Sequence, residues 1–211
     1  MHIEQHTFGP TDMVGGDLAL DLVNTVTARD SKPRDWLPDF PALLRWARQS
    51  NAFSARDLLA LDRLAAAEPR KARAALTRAK ALREALCAVT YAVLRERMPD
   101  AADLARLDAA QAAAAAAAQL VRRDGRLHRC WNVQRSQLDL ITHVVAMHAI
   151  ALLEEAELQR LRVCDGRDCG WVFLDTSKSG RRRWCDMATC GNTAKSQRFQ
   201  QRKAPSARHS A

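Results

Sequence analysis

The chain has 211 residues, of which 47% are hydrophobic and 27% charged, with a formal net charge of +9. That content supports one sizeable core with a small appendix, and the longest apolar run, mostly alanine with polar edges, is a poor membrane span. The charge is uneven: residues 160–211 hold twelve basic and four acidic side chains, so the rest is nearly neutral and the tail is marked for a polyanion partner.

Residues 1–15 read as a loose lead, broken by Gly9-Pro10 and Gly15-Gly16. The first seven residues, MHIEQHT, offer no basic and apolar leader, so a reducing cytoplasm is expected. From Asp17 to Thr27 the spacing of Leu18, Leu20, Leu22, Val23 and Val26 predicts a deeply buried helix. Asp21, Asn24 and Thr25 lie on one polar face of it. They either satisfy neighbouring backbone or line a pocket, which makes them the first candidates for a small-molecule site.

Residues 29–38 read as a loop, Asp39 as the cap of a helix through Ser50, and Ser54 as the cap of the next. Pro69 opens a long core helix to Met98, and Asp100 starts another to about Ala118 that ends in an alanine run. Asp124-Gly125 between two alternating segments predicts a small β-hairpin. Cys87 and Cys130 read as packing residues. From Gln134 to Arg160, Leu138, Ile141, Val145 and Leu152 mark one long amphipathic helix that leads into the basic segment.

That segment carries Cys164, Cys169, Cys185 and Cys190 as two C-x4-C pairs. In a reducing compartment this spacing supplies four soft ligands for a structural Zn²⁺, and four thiolates leave no open position for catalysis. The apolar run 170–174, the turn 176–180 and the return 181–184 predict a hairpin with the cysteines at its base. Asn192 is the expected cap of a short final helix to Lys203. Arg181, Arg182 and Arg183 on the return, with Lys195, Arg198, Arg202 and Lys203 on that helix, are the candidate nucleic-acid contacts. Alternation along the return places Arg181 and Arg183 on one face and Arg182 on the other.

The stretch CGWVFLDTSKSGRRRWCDMATCGNTAKSQRFQQR resembles the CGNR-type zinc finger of bacterial transcription regulators. The run GGDLALDLVNT at 15–25 resembles the opening of the ABATE domain that precedes this finger, with Leu22 where Phe is usual. The resemblance implies a mainly α fold: an N-terminal helical bundle with a small β-hairpin over 1–159, a zinc-finger module of knuckle, hairpin and short helix over 160–204, and a disordered tail over 205–211. It implies a regulator that binds DNA; no enzyme activity is expected, because the sequence places no Ser/His/Asp constellation, phosphate-cradling glycine loop or paired-carboxylate site, and no membrane partner is expected from its apolar run. A small-molecule ligand and a homodimer are compatible with it. An RNA-binding zinc-ribbon-like protein and a zinc-stabilised protein-interaction module are the alternatives. Thr193 stands where the family's name-giving Arg is expected, which removes one forked phosphate or guanine contact.

Overall fold

Side-chain caps start the helices largely where the sequence puts them. In the computed structural model, which describes residues 1–154 and 156–203 (the side chains of 156, 157, 198 and 201–203 excepted), Asp17 accepts from the Ala19 amide at 2.7 Å and opens α1, Leu18–Val23. Asp39 accepts from Ala42 at 2.8 Å to open α2, Phe40–Gln49, and Ser54 from Asp57 at 3.0 Å to open α3, Ala55–Ala67. Pro69 begins α4, Pro69–Leu94, and Asp100 caps α5, Ala101–Ala117. Asn132 caps the single turn α6, Val133–Ser136, which leads to α7, Leu140–Glu154. Helices α1, α4, α5 and α7 pack on one another around Leu20, Leu22, Leu86, Ile141 and Val145, all buried.

Four departures from the sequence reading have physical causes. The first helix ends at Val23, not Thr27, because Thr25 turns its hydroxyl back to the Leu22 carbonyl (2.7 Å) and the β-branched pair that follows becomes strand β2, Val26–Thr27. The supposedly loose N-terminus and the loop after it join this strand. β1 (His2–Ile3) pairs in parallel with β3 (Arg34–Asp35), which pairs antiparallel with β2. The long helix α4 stops at Leu94, with Glu96 in the left-handed region at φ 52°. The single helix expected over 134–160 is broken at Gln137 (φ 50°) and a 3-10 turn, so that Leu138 and Ile141 both enter the core.

The segment Val133–Glu154 is by length and composition apolar enough to cross a membrane, a point that attention to the alanine run passes over. Here α7 spends much of that surface against α1, α4 and α5. The hairpin at Asp124-Gly125 forms as expected: β4 (Gln119–Arg123) pairs with β5 (Arg126–Cys130), and both turn residues have positive φ.

The C-terminal module is built on a different hairpin from the one expected. β7 (Val172–Leu174) pairs antiparallel with β6 (Leu161–Val163), and the first two cysteines lie in the loop between them. The return 181–184 is not a strand. Buried Asp175 organises it instead, accepting from the Ser177 amide at 3.0 Å and from the Arg182 amide at 2.8 Å. The module ends in a π-turn, Met187–Gly191, and α8, Asn192–Lys203. Its cap is Asp186, accepting from Thr189 at 2.9 Å, rather than Asn192, because the π-turn runs straight into the helix. The tail 205–211 lies outside the described residues.

Candidate metal centre and basic face

The two cysteine loops meet. The Sγ atoms of Cys164, Cys169, Cys185 and Cys190 all lie within 4.8 Å of one another. A Zn–S bond of about 2.3 Å makes the edge of a sulfur tetrahedron about 3.8 Å long. The Cys169–Cys185 separation is 3.8 Å and the Cys185–Cys190 separation 3.7 Å, so donor set and spacing both fit Zn²⁺. Hydrogen bonding from the thiols of Cys169, Cys185 and Cys190 holds Cys164 well below the usual thiol range, helped by the Cys185 amide. The Gly166 amide also points at this sulfur, at 3.3 Å. A Cβ at Gly166 would come within 2.8 Å of the Cys190 sulfur, so the knuckle closes only around a glycine.

Trp171 and Phe173 are buried beside the thiols, with Trp184 half-buried on the same cluster. So small an apolar core leaves the module dependent on its surroundings. Those surroundings are the helical body. The Asn24 amide donates to the Val172 carbonyl at 2.9 Å and accepts from the Val172 amide at 2.9 Å, occupying the edge of β7 that β6 leaves open. Next to it the Leu174 amide donates to the Gly15 carbonyl at 2.8 Å. The carbonyl of Cys169 accepts from the Ala28 amide at 2.8 Å and the Thr27 hydroxyl at 3.3 Å, and the Tyr91 hydroxyl donates to the Gly170 carbonyl at 2.6 Å. Trp36 meets Trp171 edge to face with ring centroids 5.6 Å apart.

Residues 16–156 match the family model described as "ABATE: Putative stress-induced transcription regulator", and residues 160–203 match the CGNR zinc finger. The chain belongs to the ABATE family. No curated protein matches it. The contacts just described join the ABATE body to the finger through backbone and side chain alike.

The basic residues of the CGNR finger divide into two sets. Arg182 turns inward: Nε donates to the Trp184 carbonyl at 2.9 Å, a second nitrogen donates to the Cys185 carbonyl, and the guanidinium lies 4.5 Å from the Phe173 ring centroid. It holds the second knuckle in place. Arg162 is also engaged, donating to the carbonyls of Gln159, Leu161 and Gly180. Arg181 and Lys195 are exposed and form no ion pair among the described residues. Arg183 is exposed too but pairs with Asp165 at 2.7 Å. The side chains of Arg198, Arg202 and Lys203 lie outside the described residues, although their backbone is in α8. Thr193 is exposed and its hydroxyl donates to the Thr189 carbonyl at 3.0 Å.

The polar residues on and just beyond α1 are likewise engaged. Asp21 accepts from the Gly15 amide at 2.8 Å, Asn24 holds β7, and Thr25 also accepts from Arg83 at 3.1 Å. Burial pushes the Asp21 carboxyl up to about 7, against the pull of the Gly15 amide. A cleft of about 390 Å³ with a largely apolar lining lies elsewhere in the ABATE body, between α2, α3 and α4, and includes Phe40, Ala65, Ala72, Leu76, Asp62 and Arg73. The apolar spacing of the long helix puts Arg83, with Arg73, Lys80 and Arg95, on a solvated outer face; the structure instead buries Arg83. It is 1% exposed and pairs with Asp35 at 2.8 and 3.0 Å while Lys80 adds a contact at 2.8 Å. Burial pushes the Asp35 carboxyl up, but the Arg83 and Lys80 partners outweigh it and hold the group at about 2.

Proposed function

We propose that this ABATE-family protein is a cytoplasmic, non-catalytic transcription regulator that binds duplex DNA through its finger, with a structural Zn²⁺ on Cys164, Cys169, Cys185 and Cys190. The observation that carries the reading is the thiol tetrahedron: it makes a rigid platform of a small basic module whose Arg181 and Lys195 face solvent. When bound, Zn²⁺ would offset half the charge of the four thiolates and cross-link the two knuckles. Arg182 sets the second knuckle from within, and Arg181, Lys195 and the basic residues of α8 meet phosphates. Four thiolate ligands leave no position for substrate, which favours a binder over a catalyst. Any small-molecule control of the ABATE body is better seated in the α2–α3–α4 cleft than on the Asp21, Asn24 and Thr25 face, whose hydrogen bonds are already used.

The test is a salt titration of zinc-loaded protein against random duplex DNA and matched single-stranded RNA. Each phosphate contact adds about −0.9 to the slope of log affinity against log salt. The Arg181→Ala/Lys195→Ala variant is expected to flatten the duplex slope by about 2. A preference for RNA would transfer the reading to an RNA-binding protein, and indifference to both polymers would leave a protein-interaction module.

A further inference from the structure

The β4–β5 hairpin sits in the ABATE body, and the finger-based reading makes no use of it. Its strands pair with each other and supply no member of the apolar core. Two large apolar side chains nevertheless stand in solvent on it, Leu120 at 68% and Leu127 at 67% exposure. The register sets Leu120 opposite Arg129 and Arg122 opposite Leu127. Cross-strand neighbours share a face, so one face of the ribbon presents two leucines interleaved with two arginines. At the tip Arg123 is directly opposite Arg126, a like-charge pairing that costs stability unless an anion lies between or beside the two. All four arginines form no ion pair among the described residues, and Asp124 is the one acidic residue of the hairpin.

We propose that the β4–β5 hairpin is a second contact for duplex DNA, remote from the finger, with Arg122, Arg123, Arg126 and Arg129 on phosphate or base edges and Leu120 and Leu127 against the groove. The inference rests on the duplex reading of the finger. Its chemistry selects among partners. A second copy of the hairpin is repelled by the same arginines. A lipid surface is normally met by interfacial Trp or Tyr, and this ribbon has neither. The duplex major groove, about 12 Å wide, admits a two-stranded ribbon, and five-residue strands of about 17 Å can lie along its run. Leucine suits thymine methyl groups or a partly opened base step. The hairpin follows α5, whose 17 residues carry the chain about 25 Å from the α4–α5 connection, near which Tyr91 holds the finger. That span is shorter than one duplex turn of roughly 34 Å.

The test uses the full zinc-loaded chain and three double variants: Arg122→Gln/Arg129→Gln, Leu120→Ser/Leu127→Ser, and Arg181→Ala/Lys195→Ala in the finger. Unchanged melting temperatures confirm that the hairpin variants are folded. The arginine pair is expected to lower the duplex salt slope by about 2 and to weaken binding by on the order of tenfold or more at 0.1 M salt. The leucine pair is expected to weaken binding with the slope unchanged. Wild-type affinity in both hairpin variants, with loss in the finger variant, overturns this inference and leaves the finger reading standing. Absence of duplex binding by the wild-type chain overturns both. Binding to mixed phosphatidylcholine and phosphatidylserine vesicles that the hairpin variants abolish, with duplex binding untouched, overturns it in favour of a lipid surface.

Discussion

The ABATE body and the finger are held together by opposite means. The body removes large side chains from water: Leu20, Leu22, Trp46, Leu86 and Ile141 are all fully buried across α1, α2, α4 and α7. The finger has Trp171, Phe173 and a cluster of thiols of its own, lends Leu161 and Val172 to the body's core, and receives hydrogen bonds from the body. The seam between them is mixed: Leu161 and Val172 enter the body's apolar core and Trp36 packs on Trp171, while Asn24 and the Cys169 carbonyl add directional hydrogen bonds. Apolar burial tolerates small shifts of register, whereas the hydrogen bonds of Asn24 and the Cys169 carbonyl do not.

The contrast can be broken most severely at the thiols. Apparent zinc affinities of small structural sites are worth about 10–16 kcal/mol, so Cys185→Ser is expected to abolish metal retention. Limited proteolysis should then cut within 161–203 while the body stays protected. Simultaneous loss of both parts would show that the body needs the finger as part of its own core.

Next comes the charge cluster inside the body. Arg83→Met leaves Asp35 buried with Lys80 as its remaining cationic partner, and is expected to cost about 3–5 kcal/mol in urea unfolding. Asn24→Ala acts at the seam, stripping partners from both the amide and the carbonyl of Val172. At about 1–3 kcal/mol for each stranded group, the cost should fall mainly on the finger, read as faster metal loss to a chelator than body unfolding explains.

The smallest effect is a pH dependence. Burial raises the Asp21 carboxyl to about 7 in the fold from an ordinary value of 3.8. Its contribution is full below the unfolded value and is lost as pH rises through the folded one. Wild-type protein should therefore lose roughly 1 kcal/mol between pH 6 and 8 relative to Asp21→Asn, which keeps an oxygen to accept from Gly15. Parallel melting curves of the two proteins across that range would remove Asp21 from the account.

What the sequence disclosed was local. Asp39, Ser54 and Asp100 are caps because each bonds an amide two or three residues away, and Asp124-Gly125 is a turn because of its own backbone preference. The thiol cluster was legible for the same reason, as two short loops. The strand partner of β7 was not: its sequence alternation suits the arginine-rich return as well as β6, and the choice is made by buried Asp175. Asn24 reads as a candidate ligand contact because its true partner is 148 residues away, and Arg83 reads as a surface charge because Asp35 is brought to it by the small N-terminal sheet.

Strand β7 lies between the two matched segments in an architectural sense while falling inside one of them along the chain. A gene fusion that cut near residue 159 and moved the finger to another host would carry β7 away from Asn24 and Gly15, and would part Cys169 from Ala28 and Thr27. The transplanted finger would keep all four cysteines and lose the frame that aims one of them. Inheritance of this finger as a cassette thus requires a host that already offers an amide side chain and an open carbonyl at matching positions, which ties its recombination to that of the ABATE body.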